Sequence, residues 1–209
     1  MEPEIEFGWT DACARIHHGW LTPAIKELLP SPGDKQTLLD MGCGSGVMAA
    51  RYRDWGFTVV GTEVSAEGLE QARSADPEVT FVQASAYDDH ATFGPPGGFD
   101  VVVSTEVIEH LIDPEAMLQR AYEAVRPGGT VIVTTPYHGY VKNLAISLAN
   151  GWDDHWDVAR RGWHIKFFST RTLEAMLTSV GFVDLSLRGA GRRPMIWRSI
   201  VAKGTRPSH

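Results

Sequence analysis

Apolar positions in this chain fall into two kinds of cluster, and their alternation predicts the architecture. Short runs of apolar and β-branched residues at 37–41, 58–62, 79–82, 99–104 and 130–135 read as buried parallel strands, and 182–187 and 196–203 add two more. Between them, apolar residues three or four apart predict helices at 47–55, 66–74, 114–125 and 170–180, with a short one at 86–92. Ser65, Asp113 and Ser169 stand where helix N-caps belong. Residues 30–34, 94–98 and 127–129, rich in Pro and Gly, break the pattern. Before the first strand, Phe7, Trp9, Ile16, Trp20, Leu21, Ile25 and Leu28 recur near helical spacing over 7–29, with Pro23 expected to divide that stretch into two helical pieces. Residues 139–163, rich in Trp, Asp and Gly, read as an insertion. The tail after Lys203 is expected to fray. Strands alternating with helices imply a parallel sheet covered on both faces, in one domain spanning 1–209.

The order of elements puts a set of polar residues at one edge. Leu38-Leu39-Asp40-Met41 ends a strand, Gly42, Gly44 and Gly46 alternate around Cys43, and a helix follows. Such a turn lets a ligand approach the backbone closely and aims free N–H groups at an anionic group. A dinucleotide fingerprint would need its last glycine one residue later, where Val47 stands. Asp40, Glu63, Ser85, Glu106 and Pro136 all fall at or beyond the carboxyl ends of strands, where open α/β sheets bind ligands.

Asp40 followed by Gly-x-Gly-x-Gly, Glu63 at the end of the second strand and Glu106-Val-Ile-Glu109-His110-Leu after the fourth together resemble the class I S-adenosylmethionine (SAM) methyltransferases over roughly residues 37–185. The resemblance implies a Rossmann-like three-layer αβα sandwich around a seven-stranded, mostly parallel sheet with an antiparallel last strand. It implies SAM as cofactor, held by Asp40, Gly42, Cys43, Gly44, Gly46, Glu63, Val64, Ser85, Ala86, Thr105 and Glu106. Glu63 would accept the ribose hydroxyls, and Asp40 would orient the loop and help hold the amino-acid end. Ser85 stands where the family often has Asp; it is read either as an adenine contact beside Ala86 or as a plain cap. The N-terminal helices are read either as core or as a lid that brings Trp9, His17 and His18 over the cofactor.

Glu-x-x-Glu-His is similar to a motif of the ubiquinone-biosynthesis O-methyltransferases, where it is associated with magnesium. His164-Ile-Lys-Phe167-Phe-Ser-Thr-Arg171 looks like a segment of the small-RNA 2′-O-methyltransferases, which makes His164 the candidate fourth ligand beside Glu106, Glu109 and His110. Glu106, Glu109 and His110, at i, i+3 and i+4, would put two carboxylates and an imidazole on one helical face, which suits a divalent cation. The same Glu-His-Leu run also occurs in metal-free methyltransferases, where it shapes the loop. Without a metal the acceptor's proton needs a base, and His110, His138 and His164 are the candidates. Tyr137, Tyr140, Trp152, Trp156 and Trp163 predict either lid packing or an aromatic wall over a flat acceptor.

Composition narrows the partners. The net charge of −7 argues against a nucleic-acid track, so Arg160, Arg161, Arg192, Arg193 and Arg198 are read as solvated or as grips for an acidic small acceptor. Two cysteines, Cys13 and Cys43, give no disulfide framework, no apolar run is long enough to span a bilayer and no leader pattern opens the chain; a cytoplasmic enzyme is expected. The expected function is O-methylation of a small or quinol-like acceptor, with an RNA 2′-O-methyltransferase or a non-catalytic SAM-binding protein as alternatives. The identity of the acceptor, O, N or C attack, and oligomeric state stay open at this point.

Overall fold

A computed structural model of the chain describes residues 11–31, 33, 36–157, 159 and 162–208, the first eight of them by backbone alone. Phe7, Trp9, Arg160 and Arg161, and the side chains of Ile16, His17 and His18, lie outside the described residues.

The strands are β1 (Thr37–Met41), β2 (Thr58–Glu63), β3 (Thr80–Gln83), β4 (Phe99–Thr105), β5 (Val125–Pro136), β6 (Val183–Ala190) and β7 (Ser199–Thr205). They form one sheet in the order β3-β2-β1-β4-β5-β7-β6. All pairings are parallel except those of β7, which runs antiparallel to both β5 and β6. The helices are α1 (Asp11–Leu28), α2 (Val47–Asp54), α3 (Ala66–Ala75), α4 (Pro114–Ala124), α5 (Tyr140–Leu148), α6 (Trp152–His155) and α7 (Thr170–Val180).

Successive side chains of a strand point to opposite faces, so the uninterrupted apolar strands build two cores at once. Leu38, Val101, Val103, Ile132 and Val201 pack beneath α1, α2 and α3, where Leu21, Tyr52 and Leu69 meet them. Leu39, Val102, Val131, Val133 and Ile200 pack beneath α4 and α7, against Leu118, Leu173 and Leu177. The caps act as their residue types predict. Ser65, Asp113 and Ser169 accept from the N–H groups of Gly68, Ala116 and Thr172, and Gly181 ends α7 in the left-handed region at φ 110°.

Several expectations are corrected. Pro23 does not divide α1: Leu21, Ile25 and Leu28 are buried on one face, and that burial offsets a cost of about 3 kcal/mol for an interior proline. Residues 86–92 do not form an α-helix. Asp88 accepts from the Ser85 N–H and the Ser85 hydroxyl from the Tyr87 N–H, which makes a turn, and a 3₁₀ turn follows at His90–Phe93. β5 starts at Val125, because that residue is already extended and bridges Phe99, so Pro127, Gly128 and Gly129 belong to the strand. The last two strands each sit toward the C-terminus of their expected spans. The tail does not fray at Lys203 either. Arg206 exchanges backbone hydrogen bonds with Gly128 and Gly129, and its guanidinium donates to the carbonyls of Tyr122, Glu123 and Val125 above the Tyr122 ring.

Candidate active site at the carboxyl ends of the central strands

The glycine loop emerges from β1, and Gly42, Gly44 and Gly46 adopt φ values of 78°, 54° and 78°. A Cβ at Gly42 would lie 2.5 Å from Val107 Cγ2, so both the left-handed backbone and the packing require glycine there. The N–H groups of Gly42 and Cys43 donate to Thr62 O at 2.8 and 2.9 Å, which fastens the loop to β2. Glu63, at the tip of β2, is buried; one carboxylate oxygen accepts from Gly44 N at 3.0 Å and the other from Ser65 N at 2.9 Å. Burial raises its pKa against these hydrogen bonds. Asp40, beneath the loop, is buried and its Oδ2 has no hydrogen-bond partner among the described residues. Burial, with the charge of Glu63 added, pushes its pKa up to about 7. The thiol of Cys43 is raised by the same burial and by both carboxylates. Val64 O accepts from Gln83 Nε2 at 3.0 Å, Ala86 lies in the turn after Ser85, and the Thr105 hydroxyl meets the buried Tyr52 hydroxyl at 3.4 Å.

The stretch after β4 does not form the helical turn expected of it. Glu106 is left-handed at φ 55°, and a 3₁₀ turn at Ile108–His110 follows. Glu106 therefore does not share a helical face with Glu109. Its carboxylate accepts from the Thr134 hydroxyl at 2.9 Å and the Ser199 hydroxyl at 3.4 Å, and Ser199 in turn accepts from Trp20 Nε1 at 3.3 Å. The four-residue set narrows to three: one ligand-type atom from each of Glu109, His110 and His164 lies within 4.8 Å of the others.

Glu109 is 1% exposed. One carboxylate oxygen accepts from the Thr135 hydroxyl at 3.0 Å; the other lacks a hydrogen bond and stands 3.9 Å from Nε2 of both His110 and His164. Burial, and then Glu106, holds this carboxyl well above the usual range. His110 Nδ1 is 2.6 Å from Gly162 O. A carbonyl can only accept, so Nδ1 donates to it, which turns Nε2 toward Glu109. The His164 ring lies edge-on to His110 at 4.8 Å and stacks on Trp163 at 4.9 Å. Glu109 O accepts from the N–H groups of Ile165 and Lys166, which holds His164 in reach.

His138 stands apart from this group, on the chain leaving β5. Its ring packs on Phe167 at 4.3 Å and meets His155 at 5.5 Å, while Trp156 covers Phe167 at 4.5 Å. Burial first, then Lys142 and His155, pushes its pKa down to about 4. The aromatic residues of the insertion thus form a cluster around Phe167, and Tyr137 packs on Trp197 at 5.1 Å. A cavity of about 590 Å³ opens among Asp153, His155, Trp156 and Trp163. The sequence pointed to neither the network Trp20–Ser199–Glu106 nor Thr135 beside Glu109 nor Lys142, whose ammonium donates to Tyr137 O at 2.7 Å. Trp20, Ser199, Thr135 and Lys142 belong to no motif, and only β5–β7 pairing brings Ser199 opposite Pro136.

A methyltransferase domain model matches residues 15–187. The chain belongs to the SAM-dependent methyltransferase family. It is 31% identical over 172 residues to the ubiquinone biosynthesis O-methyltransferase of Thiobacillus denitrificans, covering 79% of this chain and 72% of that one. The corresponding enzyme of Vibrio parahaemolyticus is 28% identical over 164 residues, which cover 76% and 68% of the two chains. In fold, this methyltransferase is similar to a SAM-dependent methyltransferase from Mesorhizobium loti, with a TM-score of 0.63, 19% identity and coverage of 88% and 96%. Among the described residues, no helix of the methyltransferase is long and apolar enough to cross a membrane.

Proposed function

We propose that this methyltransferase transfers the SAM methyl group to a hydroxyl oxygen of a small, quinol-like acceptor. The observation that carries the reading is the group Glu109, His110 and His164 at the carboxyl end of β4, where a buried carboxylate oxygen without a hydrogen bond faces Nε2 of both imidazoles at 3.9 Å. The likeness to ubiquinone biosynthesis O-methyltransferases supports the acceptor class, and a cytoplasmic location goes with it. The acidic balance of the chain weighs against RNA as acceptor.

In this reading SAM lies over the glycine loop. Gly42, Cys43, Gly44 and Gly46 supply backbone approach and Glu63 the ribose contact, with Val64, Ser85, Ala86 and Thr105 around the adenosine. Asp40 faces the ammonium of the amino-acid end. The reaction is an in-line displacement: the acceptor oxygen attacks the methyl carbon and the carbon–sulfur bond breaks, leaving S-adenosylhomocysteine. The protein positions the pair and removes the hydroxyl proton. His138, with its pKa near 4 and its ring enclosed, is a poor base near neutral pH; His110 and His164 are the better candidates. The closing helix α1 and the insertion would exclude water.

The same residues fit a divalent cation. A buried carboxylate oxygen, two imidazoles and a Gly162 carbonyl that fixes the His110 tautomer are the donor set and outer shell of a metal site. Two imidazoles with one carboxylate favour zinc, manganese or iron over magnesium. Such an ion would supply Lewis acidity that lowers the pKa of the acceptor hydroxyl. The test is formation of S-adenosylhomocysteine over a panel of catechols, phenols and short RNAs, with and without chelator. Turnover of catechols is expected. Turnover of RNA alone would overturn the reading, and turnover unaffected by chelator would leave His110 or His164 as the base.

A further inference from the structure

We propose that Trp20 and Ser199 are positioning residues, which carry the seating of helix α1 to the turn at Glu106 and so align the Glu109–His110–His164 group with the cofactor loop. This coupling rests on the methyltransferase reading above and deepens it by naming residues away from the reacting groups that set their geometry.

Helix α1 touches both supports of the site. On one side it meets α2, the helix that the glycine loop opens: Arg51 donates to the Thr22 hydroxyl, which donates in turn to Met48 Sδ at 3.7 Å. On the other side it reaches β7, where Trp20 Nε1 donates to Ser199 Oγ at 3.3 Å. An indole N–H can only donate, which fixes the polarity of the bonds beyond it. Ser199 accepts from Trp20 and gives its own hydroxyl proton to Glu106 Oε2 at 3.4 Å. Thr134 likewise accepts from Glu106 N at 3.0 Å and donates to Glu106 Oε1 at 2.9 Å. Both hydroxyls are buried, so bulk water does not compete for them. The Trp20 ring is itself confined: the Arg198 guanidinium lies over it at 4.4 Å, and a Cβ at Gly191 would stand 2.9 Å from its Cγ.

Glu106 is the residue on which these donors converge. A φ of 55° is uncommon for a residue with a side chain and persists where the surroundings over-determine it. Among the described residues the other non-glycine positions with positive φ are Asn150, Asp184 and Met195, in outer turns and the edge strand; Glu106 alone follows a central strand. The turn sets Val107 against the glycine loop, where its Cγ2 takes the space of a Cβ on Gly42, and leads into Ile108–His110, which carries Glu109 and His110. One backbone conformation thus sets the cofactor loop and the Glu109–His110–His164 group together. The links from Trp20 to Ser199 and from Ser199 to Glu106 are both longer than ordinary hydrogen bonds of their kind, and have room to shorten when the cofactor loads the loop.

The test labels the tryptophan nitrogens of the full chain isotopically and follows the indole N–H resonance of Trp20, identified by its loss in Trp20→Phe, while S-adenosylhomocysteine is added; calorimetry is run on the same samples. In the unaltered protein the Trp20 resonance is expected to move downfield as the ligand saturates, because its hydrogen bond shortens. Ser199→Ala should abolish the movement and weaken S-adenosylhomocysteine binding about fivefold or more, the low end of coupling between sites. The double variant Trp20→Phe/Ser199→Ala should bind no more weakly than either single variant, since both break one chain of bonds. Losses that multiply would show two independent packing effects and overturn the relay. So would a Trp20 movement retained in Ser199→Ala, which would mean that the ring touches the ligand directly. Should Ser199→Ala fail to fold, Ser199→Cys, similar in size but a weaker donor and acceptor, serves the same comparison. Ligand binding without any Trp20 movement in the unaltered protein overturns the relay alone; no ligand binding there overturns the relay and the cofactor site together.

Discussion

Asp40→Asn should make the ligand-free protein more stable at pH 8 while weakening SAM binding. Asp40 is buried, its Oδ2 is unpartnered, and its pKa stands at about 7 instead of 3.8. A group that holds its proton more tightly when folded adds stability fully below its unfolded pKa and loses that stability as pH rises through the folded value. The rise spans about three pH units, and at about 1.4 kcal/mol each the ionised carboxylate costs the fold about 4 kcal/mol at pH 8. The asparagine amide is still short of partners, at about 1–3 kcal/mol, so the net gain is about 2 kcal/mol. In a chain of this size that raises the melting temperature by about 4–8 °C. Thermal melts of both proteins from pH 4 to pH 8 check it: the variant should melt higher at pH 8, the gap should shrink as the pH falls through the folded pKa, and near pH 4, where only the amide's cost remains, the order should reverse. Calorimetry should show SAM affinity falling in the variant, because the ligand ammonium loses its counter-charge. A variant that melts below the wild type at pH 8, or a gap that ignores pH, would refute the reasoning.

Glu63→Ala should weaken S-adenosylhomocysteine binding by about 1–3 kcal/mol, since hydrogen bonds to a charged group are lost; an unchanged calorimetric affinity removes Glu63 from the site. Gly42→Ala places a Cβ against Val107 at φ 78° and should lower SAM affinity and cost about 1–2 kcal/mol of stability from backbone strain alone; a melt identical to wild type would contradict this. Glu109→Gln should reduce turnover at least tenfold, the scale of a lost acid–base or ligand group, while S-adenosylhomocysteine binding stays intact. A loss of cofactor affinity in that variant would place Glu109 on the wrong side of the site.

The sheet and its helices were legible because buried parallel strands and capped helices write local signals: Leu38 and Leu39 on opposite faces, Ser169 before its helix. The glycine loop and Glu63 were legible for the same reason, since their geometry is set within a few residues of each strand end. The conformation of Glu106 was not. Spacing alone put it on a helical face with Glu109 and His110, whereas its φ of 55° answers to Thr134 and Ser199, which lie 28 and 93 residues away. Residues 86–92 misled because Ser85 and Asp88 hydrogen-bond locally and divert the backbone from a helix. Helix α5 was missed although Val141, Leu144 and Leu148 recur at helical spacing, because the Trp, Asp and Gly of the stretch read together as an insertion; none of its residues is buried in the fold.

The insertion leaves and re-enters the fold at one place. Tyr137 and Phe168 bridge in parallel, and His138 N donates to Phe168 O at 2.7 Å. The segment between them, which carries α5 and α6, is thus clasped at its base. Exchanging such a segment for one twice as long costs only about 0.6 kcal/mol of closure entropy. The chain can therefore trade this segment with a relative while β1, β2 and the glycine loop stay untouched. One residue resists that modularity: His164 sits inside the exchangeable segment, so a graft that omits a histidine near the re-entry point should keep its grip on SAM and lose the partner of Glu109.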